Sequence, residues 1–193
     1  MKKIQPATFG LAFLLTFATV TTMTLFTGCV AGDKYSRSTG QYVDDKGIDS
    51  RVRDALNDNA EYKFEGVKVV SFKSRVQLSG FVDTGAQKDT AGDITKKVQG
   101  VRDVDNAITV KDDSGRSTGE YIDDKSLTSR VNAGLRDNAE YKFEEVGVAS
   151  YKGTVQLSGF VNTADQKDKA GDIAKQTPGT QNLINNISVK DKL

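Results

Sequence analysis

Residues 76–82 read VQLSGFV, and the same seven residues return at 155–161. Val76, Leu78 and Val82 alternate with Gln77, Ser79 and Phe81, which is the period of a half-buried strand. Gly80 interrupts the apolar set, and a glycine inside a strand usually marks a bulge or a close approach by another backbone. This stretch decides the fold, because each copy lies at the centre of a small domain.

The strand belongs to a tandem duplication. Residues 37–112 align without a gap to residues 116–191, and 46 of the 76 paired positions are identical. Two copies are too few for a solenoid, so we expect two similar compact domains. The predicted division is a signal segment at 1–28, a tether at 29–40, domains at 41–112 and 120–191, and a linker at 113–119.

Each copy predicts the order helix, strand, strand, helix, strand. Ile48, Val52 and Leu56 recur at helical spacing, and Asp45, with Asp124 in the second copy, is the predicted N-cap of this helix. A polar turn then leads into the second strand, Thr84-x-x-Gln87 begins the second helix, and residues 104–110 form the last strand. Tyr42 and Val43 are read as a short extended segment, and Gly92 indicates close packing of the second helix on the sheet.

These elements predict an α+β fold. The hairpin is antiparallel, and the strand-helix-strand crossover is expected to be parallel and right-handed. Each domain is therefore a mixed three-stranded sheet packed on one face by two helices.

Composition excludes several classes of function. The chain has no His and one Cys, so triads built on His, internal disulfides and Cys-rich zinc sites are absent. When Lys2 and Lys3 are left out, the chain has 25 basic and 26 acidic side chains. This nearly neutral charge argues against nucleic-acid binding. The Asp pairs at 44–45 and 123–124 are more typical of helix caps than of catalytic dyads. The sequence predicts no enzyme and no cofactor.

The N-terminal segment predicts export. Lys2 and Lys3 precede an uncharged, largely apolar run that ends at Cys29, which is the pattern of a secretory signal. Residues 26–29 resemble a bacterial lipobox, with Phe26 in place of the usual Leu. That resemblance implies cleavage before Cys29, diacylglycerol on its thiol and an acyl chain such as palmitate on its amino group. A plain signal peptide or an uncleaved anchor helix are the alternatives. Val30, where Asp would favour the inner membrane, favours the outer membrane.

The two copies resemble the BON domain family. Its motifs are a helix of the I-x-x-x-V-x-x-x-L type, a V-x-L-x-G-x-V strand and a closing G-V-x-x-V-x-N-x-I/L-x-V segment. The first copy carries them at 48–56, 76–82 and 100–110; in the second, Thr180 replaces one Val. The resemblance implies a tandem-domain protein of the bacterial envelope, similar to osmotically induced periplasmic proteins and lipoproteins. It also implies phospholipid binding without catalysis.

Two surfaces are candidates for binding. The first is basic and lies on the second helix of each copy: Lys88, Lys96, Lys97, Lys167, Lys169 and Lys175. Lys near an anionic membrane adds about 1 kcal/mol each, although an ordinary solvated helix explains them equally well. The second is the sheet face away from the helices, with Val70, Phe72, Phe81, Ala149, Tyr151 and Phe160. The simpler explanation of that face is that one domain packs on the other through it. The more specific hypothesis is that it binds lipid or an unfolded protein.

The leading hypothesis is a lipid-anchored, outer-membrane protein facing the periplasm. It would bind membrane phospholipid through two BON domains and support the envelope under osmotic stress. The alternative is a chaperone-like or structural module that binds envelope proteins or peptidoglycan. The sequence leaves the oligomeric state open.

Overall fold

The computed structural model describes residues 37–112, 115 and 117–190. The described part of the first copy (37–112) is called repeat 1, and that of the second copy (117–190) is called repeat 2. The elements of repeat 1 are α1 (Thr39–Asn57), β1 (Val67–Phe72), β2 (Arg75–Val82), α2 (Gly85–Lys96), β3 (Asp103–Asn106) and β4 (Thr109–Val110). Those of repeat 2 are α3 (Thr118–Arg136), β5 (Val146–Tyr151), β6 (Thr154–Val161), α4 (Ala164–Gln176), β7 (Asn182–Asn185) and β8 (Ser188–Val189).

Each repeat forms a mixed sheet around the repeated VQLSGFV strand. β2 pairs antiparallel with β1 and parallel with β3 and then β4, and β6 pairs in the same way with β5, β7 and β8. The predicted last strand is interrupted after Asn106, where the Ala107 amide donates to the Leu78 carbonyl at 2.9 Å. The predicted α+β architecture is confirmed, with the third strand position shared by two short segments.

Both helices of a repeat cover the same face of its sheet. In repeat 1 the core joins Ile48, Val52 and Leu56 of α1 to Val76 and Leu78 of β2. Repeat 2 builds an equivalent core of its own, which contains Leu127, Val131, Leu135, Val155 and Leu157. The apolar alternation that the sequence shows is therefore the helix-covered face of each sheet.

The first helix of each repeat begins earlier than the sequence predicts. Ser38 is the N-cap of α1: its hydroxyl accepts the Gln41 amide at 3.2 Å, and the Gln41 side chain accepts the Ser38 amide at 3.0 Å. Ser117 and Glu120 form the same reciprocal pair at the start of α3. The predictions of Asp45 and Asp124 as N-caps are therefore wrong, as is the extended segment predicted at Tyr42.

Asp45 instead fastens α1 to the turn between β1 and β2. Its carboxylate accepts the backbone amides of Lys73 and Ser74, each at 2.9 Å. Lys73 and Ser74 have φ of 49° and 65°, the left-handed conformation of a tight hairpin turn. Asp124 accepts the amides of the corresponding turn, from Lys152 at 2.9 Å and Gly153 at 3.1 Å.

Gly80 is required where the sequence indicates a close approach. Its φ is 111°, and a Cβ there would lie 2.1 Å from the carbonyl oxygen of Gly66. Gly92 lets α2 pack closely on the sheet, since a Cβ would lie 2.8 Å from the amide nitrogen of the Asn106 side chain. That nitrogen donates to the Lys88 carbonyl at 2.8 Å, which joins the helix to β3.

Candidate functional site

The four candidate aromatic residues of the sheet face lie between the two repeats. Phe72 packs on Phe160 and Phe81 packs on Tyr151, each pair with ring centroids 5.6 Å apart. All four side chains are buried, and both repeats belong to one compact unit. The sequence allowed this sheet face to be either an exposed binding surface or an interdomain contact. In the structure it is the interdomain contact.

This interface is symmetric under exchange of the repeats. Residue 72 of repeat 1 corresponds to 151 of repeat 2, and 81 corresponds to 160, so the two aromatic pairs are the same contact seen twice. The hydroxyls of Ser79 and Ser158, which are equivalent to each other, hydrogen bond at 2.7 Å. The arrangement is that of a two-fold dimer built into one chain.

Two buried glutamines join the sheets at the centre of the interface. The Gln77 side chain accepts the Gly159 amide at 2.5 Å and donates to the Asn186 carbonyl at 2.9 Å. Its counterpart Gln156 accepts the Gly80 amide at 2.5 Å and donates to the Ala107 carbonyl at 2.7 Å. Each glutamine is 1% exposed, so these bonds replace water that the groups have lost.

Arg37 closes one end of the interface with an ion cluster. Its guanidinium pairs with Asp45 at 2.5 Å and with Glu145 of repeat 2. Lys190 pairs with the same Glu145 at 2.8 Å. The guanidinium also lies 4.8 Å from the centre of the Tyr42 ring. Because the Arg37 side chain is only 7% exposed, this cluster is held in a largely dry environment.

The predicted basic residues lie on or at the ends of the second helices. Lys96 and Lys97 at the end of α2 are exposed, as is Lys175 near the end of α4, whereas Lys88 and Lys167 are partly buried in the first turns. Lys96 pairs with Asp93 at 3.1 Å, one turn earlier. An exposed pair at this spacing is typical of a solvated helix face. The assignment of these lysines as binding residues stays a prediction.

The start of α1 and of α3 each carries a pair of exposed apolar side chains that was not predicted from the sequence. Val43 is 62% exposed and Tyr42 is 47% exposed, and their counterparts Ile122 and Tyr121 are 60% and 41% exposed. Lys46 and Lys125 follow within one turn, with their ammonium groups 5.5 and 4.6 Å from the tyrosine ring centres. The signal in the sequence was the Ser-x-x-Gln/Glu capping box, which places these side chains on a helix rather than a strand.

One carboxyl group has a perturbed environment. Burial raises the pKa of Asp49 above its ordinary value, against the opposing effects of a Ser71 hydrogen bond, Lys46 and Arg53. Its side chain is 2% exposed, and its Oδ1 has no hydrogen-bond partner. Repeat 2 has Thr128 at the equivalent position, which shares a 2.6 Å hydrogen bond with Ser150. The carboxylate is therefore peculiar to repeat 1.

Nothing in the described part of the chain is arranged as a metal site, since no group of three or more His, Cys, Asp or Glu residues there could hold an ion. Within residues 37–112 and 117–190, no helix combines the length and the hydropathy that a membrane crossing requires. The predicted signal segment and lipidation site Cys29 lie outside the described residues.

Comparison with known proteins identifies the family. Residues 44–112 and 123–191 each match the BON domain. The chain belongs to the BON domain family. The duplicated αββαββ unit described above is thus a pair of BON domains.

Relatives share most of the chain. Osmotically-inducible protein Y of Escherichia coli (strain K12) is 34% identical over 83% of this chain and 81% of its own length. The outer membrane lipoprotein DolP of Haemophilus influenzae is 36% identical over 77% of this chain and 76% of its own length. Among solved structures, the C-terminal domain of CdsD, a structural protein of the type III secretion system of Chlamydia trachomatis, aligns at 17% identity. That alignment covers 75% of this chain and 66% of the chain of that domain, with a TM-score of 0.31.

Proposed function

We propose that this protein is a non-enzymatic component of the bacterial cell envelope that binds phospholipid through its BON domains. The names of its relatives support the setting, because one is an outer membrane lipoprotein and another is osmotically inducible. The observation that carries the membrane contact is the exposed apolar pair at the start of each first helix, Tyr42 with Val43 and Tyr121 with Ile122.

These side chains have the chemistry of a membrane-interface contact. Tyrosine combines an apolar ring with a polar tip and suits the headgroup region, and the neighbouring Val or Ile adds apolar area. Lys46 and Lys125 are exposed beside them, but Asp44 and Asp123 are exposed as well. Because the charges nearly cancel, burial of apolar surface rather than attraction to anionic lipid drives the contact. Binding should therefore depend only weakly on salt.

Vesicle flotation of residues 30–193 tests this function. We expect the protein to float with vesicles of phosphatidylethanolamine and phosphatidylglycerol, and the double variant Val43→Ser/Ile122→Ser to lose most of that binding. Val110→Ser is the matched control, because Val110 is 41% exposed but lies on β4 and not on either first helix. Absence of flotation by the unaltered protein, or an equal loss in the control, would rule out the proposed contact.

The proposed site of action is the outer membrane, facing the periplasm, with Cys29 as the lipid anchor. The support is the lipobox-like sequence at 26–29 and the lipoprotein relative. Several acyl chains on one residue give stable anchoring, whereas a single chain is marginal. Mass spectrometry of the mature N-terminus should find Cys29 acylated, and a Cys29→Ala variant should be released from membranes. An unmodified Cys29 in the mature protein would disprove the anchor.

A supporting role under osmotic stress follows from the same relatives and remains part of the proposal. The second function left open by the sequence, the binding of envelope proteins, stays a prediction.

A further inference from the structure

The contacts across the interface fix the axis of the two-fold rotation that relates the repeats. Gln77 accepts the Gly159 amide, and its counterpart Gln156 accepts the Gly80 amide. Because Gly159 is the counterpart of Gly80, β2 and β6 run in opposite directions past each other. A rotation that exchanges two stacked sheets in this way has its axis between them and across the strands. The axis therefore runs from the β1 and β5 edges of the sheets towards the β3 and β7 edges.

Both first helices lie at the β1 and β5 end of this axis. The Ser71 hydroxyl on β1 donates to the Asp45 carbonyl of α1 at 2.8 Å, and the Ser150 hydroxyl on β5 donates to the Asp124 carbonyl of α3 at 2.6 Å. Because a rotation leaves positions along its axis unchanged, α1 and α3 flank the same end of the molecule from its two sides. We call this end the first-helix end.

The exposed pair on α1 is turned towards the first-helix end. The Arg51 Nε donates to the Gln99 carbonyl, just after α2, at 3.2 Å, so Arg51 marks the side of α1 that faces α2. At about 3.6 residues per turn, Tyr42 and Val43 together cover the opposite side of α1. That side faces away from α2 and therefore outwards along the axis.

Repeat 2 presents Tyr121 and Ile122 in the same way. The Arg130 Nε donates to the Pro178 carbonyl, just after α4, at 3.2 Å, so Arg130 marks the side of α3 that faces α4. Tyr121 and Ile122 cover the opposite side of α3, and both are exposed. The two exposed pairs therefore point towards one end of the molecule from opposite sides of the axis.

The chain enters the described structure at the same end. Arg37 is the first described residue, and its guanidinium lies 3.1 Å from the Ser71 carbonyl on the edge strand β1. The proposed lipid anchor Cys29 lies eight residues earlier, and eight residues span at most about 30 Å. An acylated Cys29 would therefore hold the first-helix end close to the membrane.

The second helices lie at the opposite end of the axis. The Asn106 side chain on β3 donates to the Lys88 carbonyl of α2 at 2.8 Å, and the Asn185 side chain on β7 donates to the Lys167 carbonyl of α4 at 3.0 Å. The exposed lysines near the ends of these helices, such as Lys97, are thus remote from a flat membrane that touches the first-helix end.

We propose that the protein stands on the membrane with this axis along the membrane normal, so that the starts of α1 and α3 contact one bilayer at the same time. The inference rests on the phospholipid binding proposed above and adds that both repeats bind, in one fixed orientation. Two contacts carried by one compact unit bind more tightly than either alone, because the second contact forms within the same complex. Each contact by itself is then weak.

Single variants separate this arrangement from binding through one repeat. In flotation of residues 30–193 with vesicles of phosphatidylethanolamine and phosphatidylglycerol, Val43→Ser and Ile122→Ser should each weaken binding about tenfold. A contact made by one repeat would leave one of these variants unchanged. If the unaltered protein floats and either variant binds equally well, the two-point contact is wrong and the proposed function stands. If the unaltered protein does not float, both fail.

Site-specific labels test the orientation. Residues 30–193 contain no cysteine, so one introduced cysteine can carry an environment-sensitive dye. Dyes at Lys46→Cys and Lys125→Cys, which leave the exposed pairs intact, should shift their emission to shorter wavelengths on vesicles and be quenched by brominated acyl chains. Dyes at Lys97→Cys and Lys175→Cys, exposed at the other end, are the matched controls and should show neither change. Quenching at Lys97 or Lys175, or at only one of the first-helix positions, would overturn the proposal.

Discussion

Asp49 is a buried carboxylate that repeat 1 carries and repeat 2 lacks. In repeat 1 its Oδ1 is buried without a hydrogen-bond partner, and the nearest cations, Lys46 and Arg53, are half exposed at 3.5 and 3.8 Å. Exposed cations at such distances compensate a buried charge poorly. In repeat 2 the equivalent residue is Thr128, an uncharged side chain whose hydroxyl shares a hydrogen bond with Ser150.

Replacing Asp49 with the residue of repeat 2 should stabilise the protein. Asp49→Thr removes a poorly paired carboxylate and places beside Ser71 the hydroxyl that Thr128 offers to Ser150, so we expect a gain of about 1 kcal/mol in the free energy of unfolding at pH 7. The measurement is urea unfolding.

The pH dependence checks the cause. The pKa of Asp49 is raised in the folded state, so the folded protein binds the proton more tightly than the unfolded chain does. Its contribution to stability is then full below the unfolded pKa and is lost as pH rises through the folded pKa. The advantage of Asp49→Thr should therefore shrink from pH 7 towards pH 4. A variant that is less stable than the original at pH 7 would contradict this account.

Gly80 has no room for a side chain. Gly80→Ala would force a Cβ against the Gly66 carbonyl oxygen and hold alanine at positive φ, so we expect a loss of at least about 2 kcal/mol in the free energy of unfolding. Gly85→Ala is the control: Gly85 begins α2 with nothing within 4 Å of the added carbon, and this change should be neutral or slightly stabilising. Similar thermal unfolding of the two variants would contradict the steric argument.

At the scale of the element, α1 is fixed by a contact that is distant in sequence. Asp45 accepts two turn amides 28 and 29 residues further on and pairs with Arg37. Asp45→Ala would leave those amides without a partner and would remove one of the two carboxylates that pair with the buried Arg37 guanidinium, so we expect a loss of about 3 kcal/mol or more. Ser38→Ala removes only the N-cap and should lose about 1 kcal/mol.

These two variants, compared by urea unfolding, distinguish the helix start that the sequence suggested from the one observed. If Ser38→Ala were the more harmful change, the turn contact of Asp45 would be of minor importance. The predicted start lies too late in the chain because Asp44-Asp45 has the composition of a cap, while Gly40, Tyr42 and Val43 are poor helix formers. The role of Asp45 depends on tertiary contacts, which no local pattern contains.

Local patterns did predict most of each repeat. The alternation in VQLSGFV, the Thr84–Gln87 capping box and the spacing of Ile48, Val52 and Leu56 each correspond to an observed element. The candidate site was less predictable. Phe72 and Phe81 are apolar on the outer face in sequence, but whether lipid or the second repeat covers them depends on the arrangement of the two domains.

At the scale of the whole molecule, the buried glutamines should couple the unfolding of the repeats. Gln77→Ala/Gln156→Ala leaves the Gly80 and Gly159 amides unpaired inside the interface, at a cost of about 1–3 kcal/mol each. We expect the unaltered residues 30–193 to unfold in one calorimetric transition and the double variant in two. A single transition at an unchanged midpoint in the variant would show that the glutamines do not hold the repeats together.

The exchange symmetry of this interface also constrains how the chain can evolve. Ser79 faces Ser158, its own duplicate, so the surface that receives each repeat is a copy of the surface it presents. A domain that already paired with itself would need no new contact after its gene was duplicated and fused. After the fusion, a mutation at Ser79 or Ser158 changes only one of the two hydrogen-bonding partners. Substitutions at the two positions are therefore coupled. Positions away from the two-fold axis that relates the repeats are not coupled in this way. At one such position repeat 2 has Glu145 where repeat 1 has Gly66.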